Sequence, residues 1–290
     1  MRTLSLLGAA ISLGFAAGVS AYVPTIGREA TIGEDLKFNL TPIEYSAGLD
    51  ISNVLIKPTS FDPSKKYPVL LVLHTCGGPK GKNTKQVHYW VKSATEAGYL
   101  ALQVDSVSVR GHRLNCKPRP VEDGRLLKDA YDAAEKISAL PFVDGNRIFT
   151  TGGSLGAMTG MLSASPSITQ EVSKSGFRFR ANVSLFPGCE YRGGNLYIQR
   201  DIDRPLLVLM GGKDTDTPPE NCLHHFESLK GRGAPIEWHT YPSASHNWDN
   251  PDTHGFSKTT PDGKHTTYFY DAEVTEDSRK RTFEFLGRFK

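Results

Sequence analysis

From Tyr67 onward the chain alternates two kinds of segment, and this alternation limits the possible fold more than any other feature. Pro68-Val-Leu-Leu-Val-Leu-His74 is a continuous apolar run, as a strand requires when helices cover both of its faces. Similar runs lie at Tyr99 to Val104, Arg147 to Thr151, Ala181 to Phe186, Pro205 to Met210 and Ile236 to Tyr241. Between them the apolar residues take helical spacing. From about Glu122 to Leu140, the residues Leu126, Ala130, Ala133, Ile137 and Leu140 recur at intervals of four and three. Further helices are predicted at Val87 to Ala97, Leu155 to Ala164, Pro219 to Leu229 and Ala272 to Phe289. Strands alternating with helices in this way predict an α/β fold, a mostly parallel sheet with helices on both faces. Ahead of it, Lys37 to Tyr45 and Ile51 to Lys57 have strand character and are joined by a turn containing Gly48, so they read as an antiparallel opening pair.

The chain has 290 residues, 38% of them hydrophobic, which suits one sizeable core. No internal repeat or dividing linker is visible, so a single domain over residues 22–290 is expected. Residues 1–21 read as a signal peptide. Met1-Arg2 is a short positive start, Leu4 to Val19 is apolar, and Val19-Ser20-Ala21 offers the small residues a signal peptidase reads. Gly8, Gly14 and Gly18 interrupt the apolar run, which is short of the roughly 20 residues of a membrane span. A secreted or periplasmic protein is therefore expected, with no membrane association after cleavage. The 34 basic and 31 acidic residues nearly balance and form no basic block, which argues against nucleic acid as a partner.

In an oxidising compartment the four cysteines become readable. They include no C-x-x-C pair, so disulfides are expected in preference to a zinc site. Each cysteine follows the C-terminal end of an expected strand, and neighbouring strands bring such loops together above the sheet. This placement predicts the bridges Cys76–Cys116 and Cys189–Cys222.

The strongest chemical signal is Gly152-Gly-Ser-Leu-Gly156, placed after one strand and before one helix. The glycines permit a turn too sharp for side chains, and the turn pushes the oxygen of Ser154 out above the strand ends. This context predicts an α/β-hydrolase fold with Ser154 as nucleophile. A serine hydroxyl needs a base, and the base needs an acid to hold its tautomer; in this fold they follow in the order Ser, Asp or Glu, His. Asp214 and Asp216 both follow Pro205 to Met210, and His246 follows Ile236 to Tyr241. Among the nine histidines, His224 and His225 read as a half-exposed helical pair and His239 as a structural strand residue, while His88 and His112 have no late strand-end position. The oxyanion hole should use the backbone N–H groups of Leu155 and, in His74-Thr-Cys-Gly-Gly78, of Cys76. His74 and Asp105 are read as structural. The long connection from Asp249 to Asp271 carries Phe256, Tyr268 and Phe269, with Pro261-Asp262-Gly263 as the expected turn of a small hairpin, and is a candidate lid.

From about residue 36 to its end the chain resembles the dienelactone hydrolase family of α/β hydrolases, particularly its secreted serine members. The resemblance is carried by His74 to Gly78, Asp105-Ser106 with Arg110-Gly111, Gly152 to Gly156, Pro187-Gly-Cys189, Gly211 to Pro218 and Tyr241 to His246. It implies that the acid is the Asp of D-x-x-x-P, which is Asp214 with Pro218. Ser154 stands where the name-giving enzymes carry cysteine, and Ala157 replaces the usual glycine after the elbow. The implied activity is hydrolysis of a small-molecule or polymer carboxylic ester through an acyl-enzyme, without cofactor or metal. Prolyl-oligopeptidase-like domains and acetyl-xylan or polyester esterases share much of this pattern, so a peptidase is the second expectation. A non-catalytic binding protein on the same scaffold is the third.

Overall fold

The computed structural model describes residues 36–111, 116, 123–191, 195–259 and 263–290. The expected signal segment lies outside these residues, as do His112, Pro261 and Asp262. In chain order come β1 (Asn39–Glu44), β2 (Val54–Lys57), β3 (Tyr67–Leu73), helix α1 (Thr84–Glu96), β4 (Leu100–Val104) and α2 (Asp123–Ser138). Then follow β5 (Val143–Gly153), α3 (Leu155–Ser163), α4 (Pro166–Val172), β6 (Asn182–Leu185), β7 (Glu190–Tyr191) and β8 (Asn195–Leu196). The chain continues through β9 (Leu206–Gly211), α5 (Glu220–Lys230), β10 (Ile236–Tyr241), β11 (Ser257–Thr259), β12 (His265–Thr267) and α6 (Ala272–Gly287). Eight strands form one sheet in the order β1-β2-β4-β3-β5-β6-β9-β10, while β7 with β8 and β11 with β12 make two small separate pairs.

The alternation along β3 explains the layers. Val69, Leu71 and Leu73 enter one core cluster with Leu126, Ala130 and Ile137 of α2 and Met161 of α3. Leu70 and Val72 point the other way, into a second cluster with Trp90 and Val91 of α1 and Phe285 of α6. Both faces are thus covered, which is why this strand reads as unbroken apolar sequence. The interval of three and four residues along α2 places its buried residues in one stripe against the first cluster.

Two expectations are corrected. The opening pair is parallel, with Asn39 beside Val54 and Glu44 beside Lys57, and β2 runs antiparallel to β4. The stretch between β1 and β2 can span about 30 Å at roughly 3.3 Å per residue, enough to run back along β1 before pairing begins again. Asn53, at φ 57°, reverses the chain just before β2, so the strand starts at Val54 and not at Ile51. Helix α4 has no counterpart among the expected helices, although its start is written locally. Ser165 caps it by accepting from the Ile168 N–H at 3.3 Å, and Pro166 occupies the first turn where a missing N–H costs nothing.

Strands β3, β5, β6, β9 and β10 are mutually parallel, so their C-terminal ends share one edge of the sheet. Leu73 lies beside Gly152, Gly153 beside Leu185, and Gly211 beside Tyr241. The loops leaving these ends carry the residues singled out above.

Candidate active site

Ser154 sits between β5 and α3 at φ 50° and ψ −109°. A non-glycine residue in this region stores roughly 1–3 kcal/mol and persists only where neighbours hold it. Here the Ser154 N–H donates to Leu185 O at 3.0 Å, and its carbonyl accepts from Met158 N at 2.9 Å. The flanking glycines answer to close approach. A Cβ on Gly156 would lie 2.4 Å from the carbonyl oxygen of Leu73, and one on Gly153 would lie 2.4 Å from the Phe186 ring. Phe186 and Asn247 also have positive φ, so three of the four such non-glycine residues among the described residues stand at strand-end loops of this edge.

The expected acid and base come from adjacent parallel strands. The loop after β9 is tied to the loop after β10 by Gly212 N to Tyr241 O at 2.8 Å and Lys213 N to Ala244 O at 2.9 Å. His246 Nδ1 lies 2.7 Å from Asp214 Oδ2, and both side chains are buried. Asp214 Oδ1 accepts from the N–H groups of Asp216 and Thr217, each at 2.9 Å, and Oδ2 also lies 2.8 Å from the Thr217 hydroxyl. With the Nδ1 proton directed at Asp214, Nε2 is left free to accept.

Asp216 faces elsewhere. Its carboxylate meets Lys258 Nζ at 2.6 Å and accepts a hydrogen bond from the Tyr268 hydroxyl. Burial raises the Asp216 pKa, but the His246 charge and the bonds from Lys258 and Tyr268 outweigh it and leave the carboxyl below its usual value. His246 shows the mirror balance. Burial disfavours its imidazolium, yet the charge and hydrogen bond of Asp214, reinforced by Asp216 and opposed by Lys258, hold its pKa above the ordinary histidine value.

The structure therefore joins His246 to Asp214 and packs His246 and the serine's neighbour Gly153 against the same Phe186 ring, with ring centroids of His246 and Phe186 4.9 Å apart. It places no direct hydrogen bond between Ser154 and His246, an arrangement common before substrate closes the site. Leu155 opens α3, where the first N–H groups of a helix have no partner within it. Cys76 lies on the loop after β3, next to the serine turn by strand register.

That loop is held from several sides. The disulfide Cys76–Cys116 spans 5.0 Å between Cα atoms, and Asn83 donates to Thr75 Oγ1 at 3.2 Å and to Gly78 O at 2.8 Å. Buried His74 has its pKa lowered by burial. Its Nδ1 donates to Thr75 O at 2.7 Å, and its Nε2 accepts from the Ser106 N–H at 3.3 Å. Asp105 caps the turn at Val107 and Ser108, accepting both N–H groups at 3.0 and 2.9 Å. Both residues thus brace loops. The second bridge, Cys189–Cys222, spans 5.2 Å between Cα atoms and links the loop after β6 to α5.

Four participants carry no motif. Thr217 stands between Asp214, the Phe186 carbonyl at 3.2 Å and His246 Nδ1 at 3.2 Å. Buried Asp249 accepts from Trp90 Nε1 at 2.7 Å and Gln86 Nε2 at 2.6 Å, anchoring the histidine loop on α1. Lys258 and Tyr268 tie the β11–β12 hairpin to Asp216, and the Tyr268 ring lies 5.3 Å from His246. The D-x-D-T spacing around Asp214 was the one local signal available for Thr217. Outside this site, Glu190, His224 and His225 are a group among the described residues whose ligand atoms lie within 4.8 Å of one another; the charge of Arg200 acts against a cation there.

The family model described as "Dienelactone hydrolase family" matches residues 51–290. Among curated relatives, a protein named "Probable dipeptidyl-aminopeptidase B" from Arthroderma benhamiae is 24% identical over 285 residues, covering 87% of this chain and 28% of the relative. A protein of the same name from Ajellomyces dermatitidis is 28% identical over 247 residues, covering 74% of this chain and 24% of its own length. The chain thus spans about a quarter of the length of these relatives. Among solved structures, a thermophilic esterase from Thermogutta terrifontis with butyrate bound aligns at a TM-score of 0.60 and 15% identity, covering 81% of this chain and 87% of that one. The esterase 2 of the same organism, phosphoramylated by tabun, aligns at 0.58 and 15%, covering 81% and 88%. At this identity the likeness concerns the fold.

Proposed function

The chain belongs to the dienelactone hydrolase family, and on that premise we propose that it is a serine hydrolase in which Ser154, His246 and Asp214 hydrolyse a carboxylic ester through an acyl-enzyme. Ser154 Oγ attacks the ester carbonyl while His246 Nε2 takes its proton, and Asp214 stabilises the imidazolium without being protonated itself. The N–H groups of Leu155 and Cys76 receive the oxyanion, each donor worth about 3 to 4 kcal/mol in the transition state. His246 passes its proton to the departing alcohol, and water, deprotonated by the same nitrogen, then releases the acid. The 2.7 Å contact of His246 with Asp214, at the same sheet edge as a serine held at positive φ, carries this reading.

The hairpin is assigned to one wall of the mouth, because Tyr268 lies against His246 while Phe256 and Phe269 are exposed. Shortening it should change preference across a panel of esters more than it changes stability; an unaltered preference rejects the assignment. The disulfides, and the absence among the described residues of a helix long and apolar enough to cross a membrane, are compatible with an extracellular protein. Export with cleavage after Ala21, to the periplasm or beyond, is part of the proposal.

The decisive test is fluorophosphonate labelling together with turnover of p-nitrophenyl esters. Wild type should label and turn over, and Ser154→Ala should do neither. A wild type that neither labels nor turns over supports a binding protein instead. The names of the curated relatives favour one second reading, a peptidase: preferential cleavage of dipeptidyl p-nitroanilides over esters would establish it.

A further inference from the structure

The parallel strands have a second edge. Residues entering β5, β6 and β9 meet at the end opposite Ser154, because these three strands are neighbours and run the same way. Arg147 lies just before the buried part of β5, Arg180 precedes β6 and Arg204 precedes β9, with Arg180 N bonded to Ile148 O at 2.8 Å. Arg178 and Lys290 close the same hollow, a cleft of about 620 Å³ that also has Phe177 on its wall. Four guanidinium groups therefore converge from three separate stretches of chain, while the Lys290 ammonium donates to the Ala97 carbonyl at 2.8 Å.

Their charges are not matched. Arg147 pairs with Asp144 at 2.8 Å and Arg178 with Asp203 at 2.5 Å. Arg180 reaches the Phe289 carbonyl at 3.5 Å, and neither Arg180 nor Arg204 meets a carboxylate among the described residues. The Nε atoms of Arg178 and Arg204 are buried without a hydrogen-bond partner. Two carboxylates against four guanidinium groups leave an excess of two positive charges. The field is felt locally: burial and then the charge of Arg147 push the Lys290 ammonium below its usual pKa. Guanidinium groups crowded in a concavity repel one another, and a planar fork is the geometry that grips an oxyanion with two parallel bonds. The volume lies within the range of small-ligand sites.

We propose that the cleft framed by Arg147, Arg178, Arg180 and Arg204 binds a small multivalent oxyanion, a di- or triphosphate or a polycarboxylate, at the opposite end of the sheet from the hydrolytic site. One such ligand would neutralise the excess charge. The site stands whether or not Ser154 is the nucleophile.

Calorimetric titration of the protein with pyrophosphate and, separately, with tricarballylate, at ionic strength held constant with sodium chloride, tests this. Saturable one-to-one binding is expected for at least one probe, and which one identifies phosphoryl or carboxylate chemistry. Arg180→Ser, on an exposed side chain, should weaken binding tenfold or more, Arg180→Ser with Arg204→Ser further still, and Ser154→Ala should bind as wild type does. If the double variant does not melt cooperatively, the single variant decides. No saturation by either probe below about 10 mM, a free energy weaker than about 3 kcal/mol, overturns the proposal. So does unchanged affinity in Arg180→Ser, which would mean an adventitious ion only.

Discussion

The two edges of the central sheet collect polar residues by the same parallel topology and treat them in opposite ways. At the C-terminal edge charges are matched before any ligand arrives: His246 faces Asp214, and Asp216 faces Lys258 and Tyr268. At the N-terminal edge, Arg180 and Arg204 face no carboxylate among the described residues. The contrast separates two kinds of work. Hydrolysis of a neutral ester needs dipoles and charges already oriented toward the transition state, so its groups are fixed by one another. Binding an anion needs charge left over for the ligand.

The contrast can be broken first at the matched edge, where effects should be largest. Ser154→Ala and His246→Ala should each lower kcat by about 10⁶, and the double variant should lose no more, because triad members act as a unit. A double variant whose loss is the sum of both free energies would remove these residues from a shared mechanism. Asp214→Asn should cost about 10⁴ in kcat, while Asp216→Asn keeps most of it. The reverse order would show that the hydrogen bond seen at His246 is not the one used in turnover.

Reduction of the bridges should act on stability. Each closes a loop of some tens of residues, worth up to about 4 kcal/mol in the chain-entropy model, less any native strain. A melting temperature lowered by roughly 10 °C is expected under reducing conditions, with reduced turnover because Cys76–Cys116 holds the loop proposed to supply an oxyanion donor. An unchanged melting curve would contradict this.

The charge matching itself is sharpened by pH. His246 acts as a base only when neutral, and its pKa is raised, so turnover should fall as pH drops through that raised value. Asp216→Asn removes a charge that raises it and should move the acid limb of kcat to lower pH. Lys258→Ala removes a charge that lowers it and should move the limb to higher pH. Shifts of the same sign in both variants would contradict the assignment of the cluster. The smallest effect belongs to the other edge. Arg180→Ser should leave ester turnover as in wild type, and a loss there would couple the two ends.

The local features were readable in advance because their causes are local. The glycines around Ser154 are set by a turn and by the passing strand, and the apolar runs by burial on both faces. Asp214 and Asp216 were both visible, two residues apart, with identical chemistry. Only the fold of their loop decides that one faces His246 and the other Lys258. The parallel opening pair escaped for a related reason. A turn residue such as Gly48 signals a change of direction, but not whether the chain reverses once or loops back to its starting end.

What the sequence determined by itself is the main alternation of strands and helices and the serine turn, because periodicity and steric limits act within a few residues. What tertiary structure alone decided are contacts between distant segments. Trp90 holds Asp249 from 159 positions away, and Arg178 meets Asp203 beside a cleft shared with Lys290. Such partners are chosen by strand order and by how loops pack over strand ends. No local rule ties the identity of one residue to that of another which the fold, and not the chain, makes its neighbour.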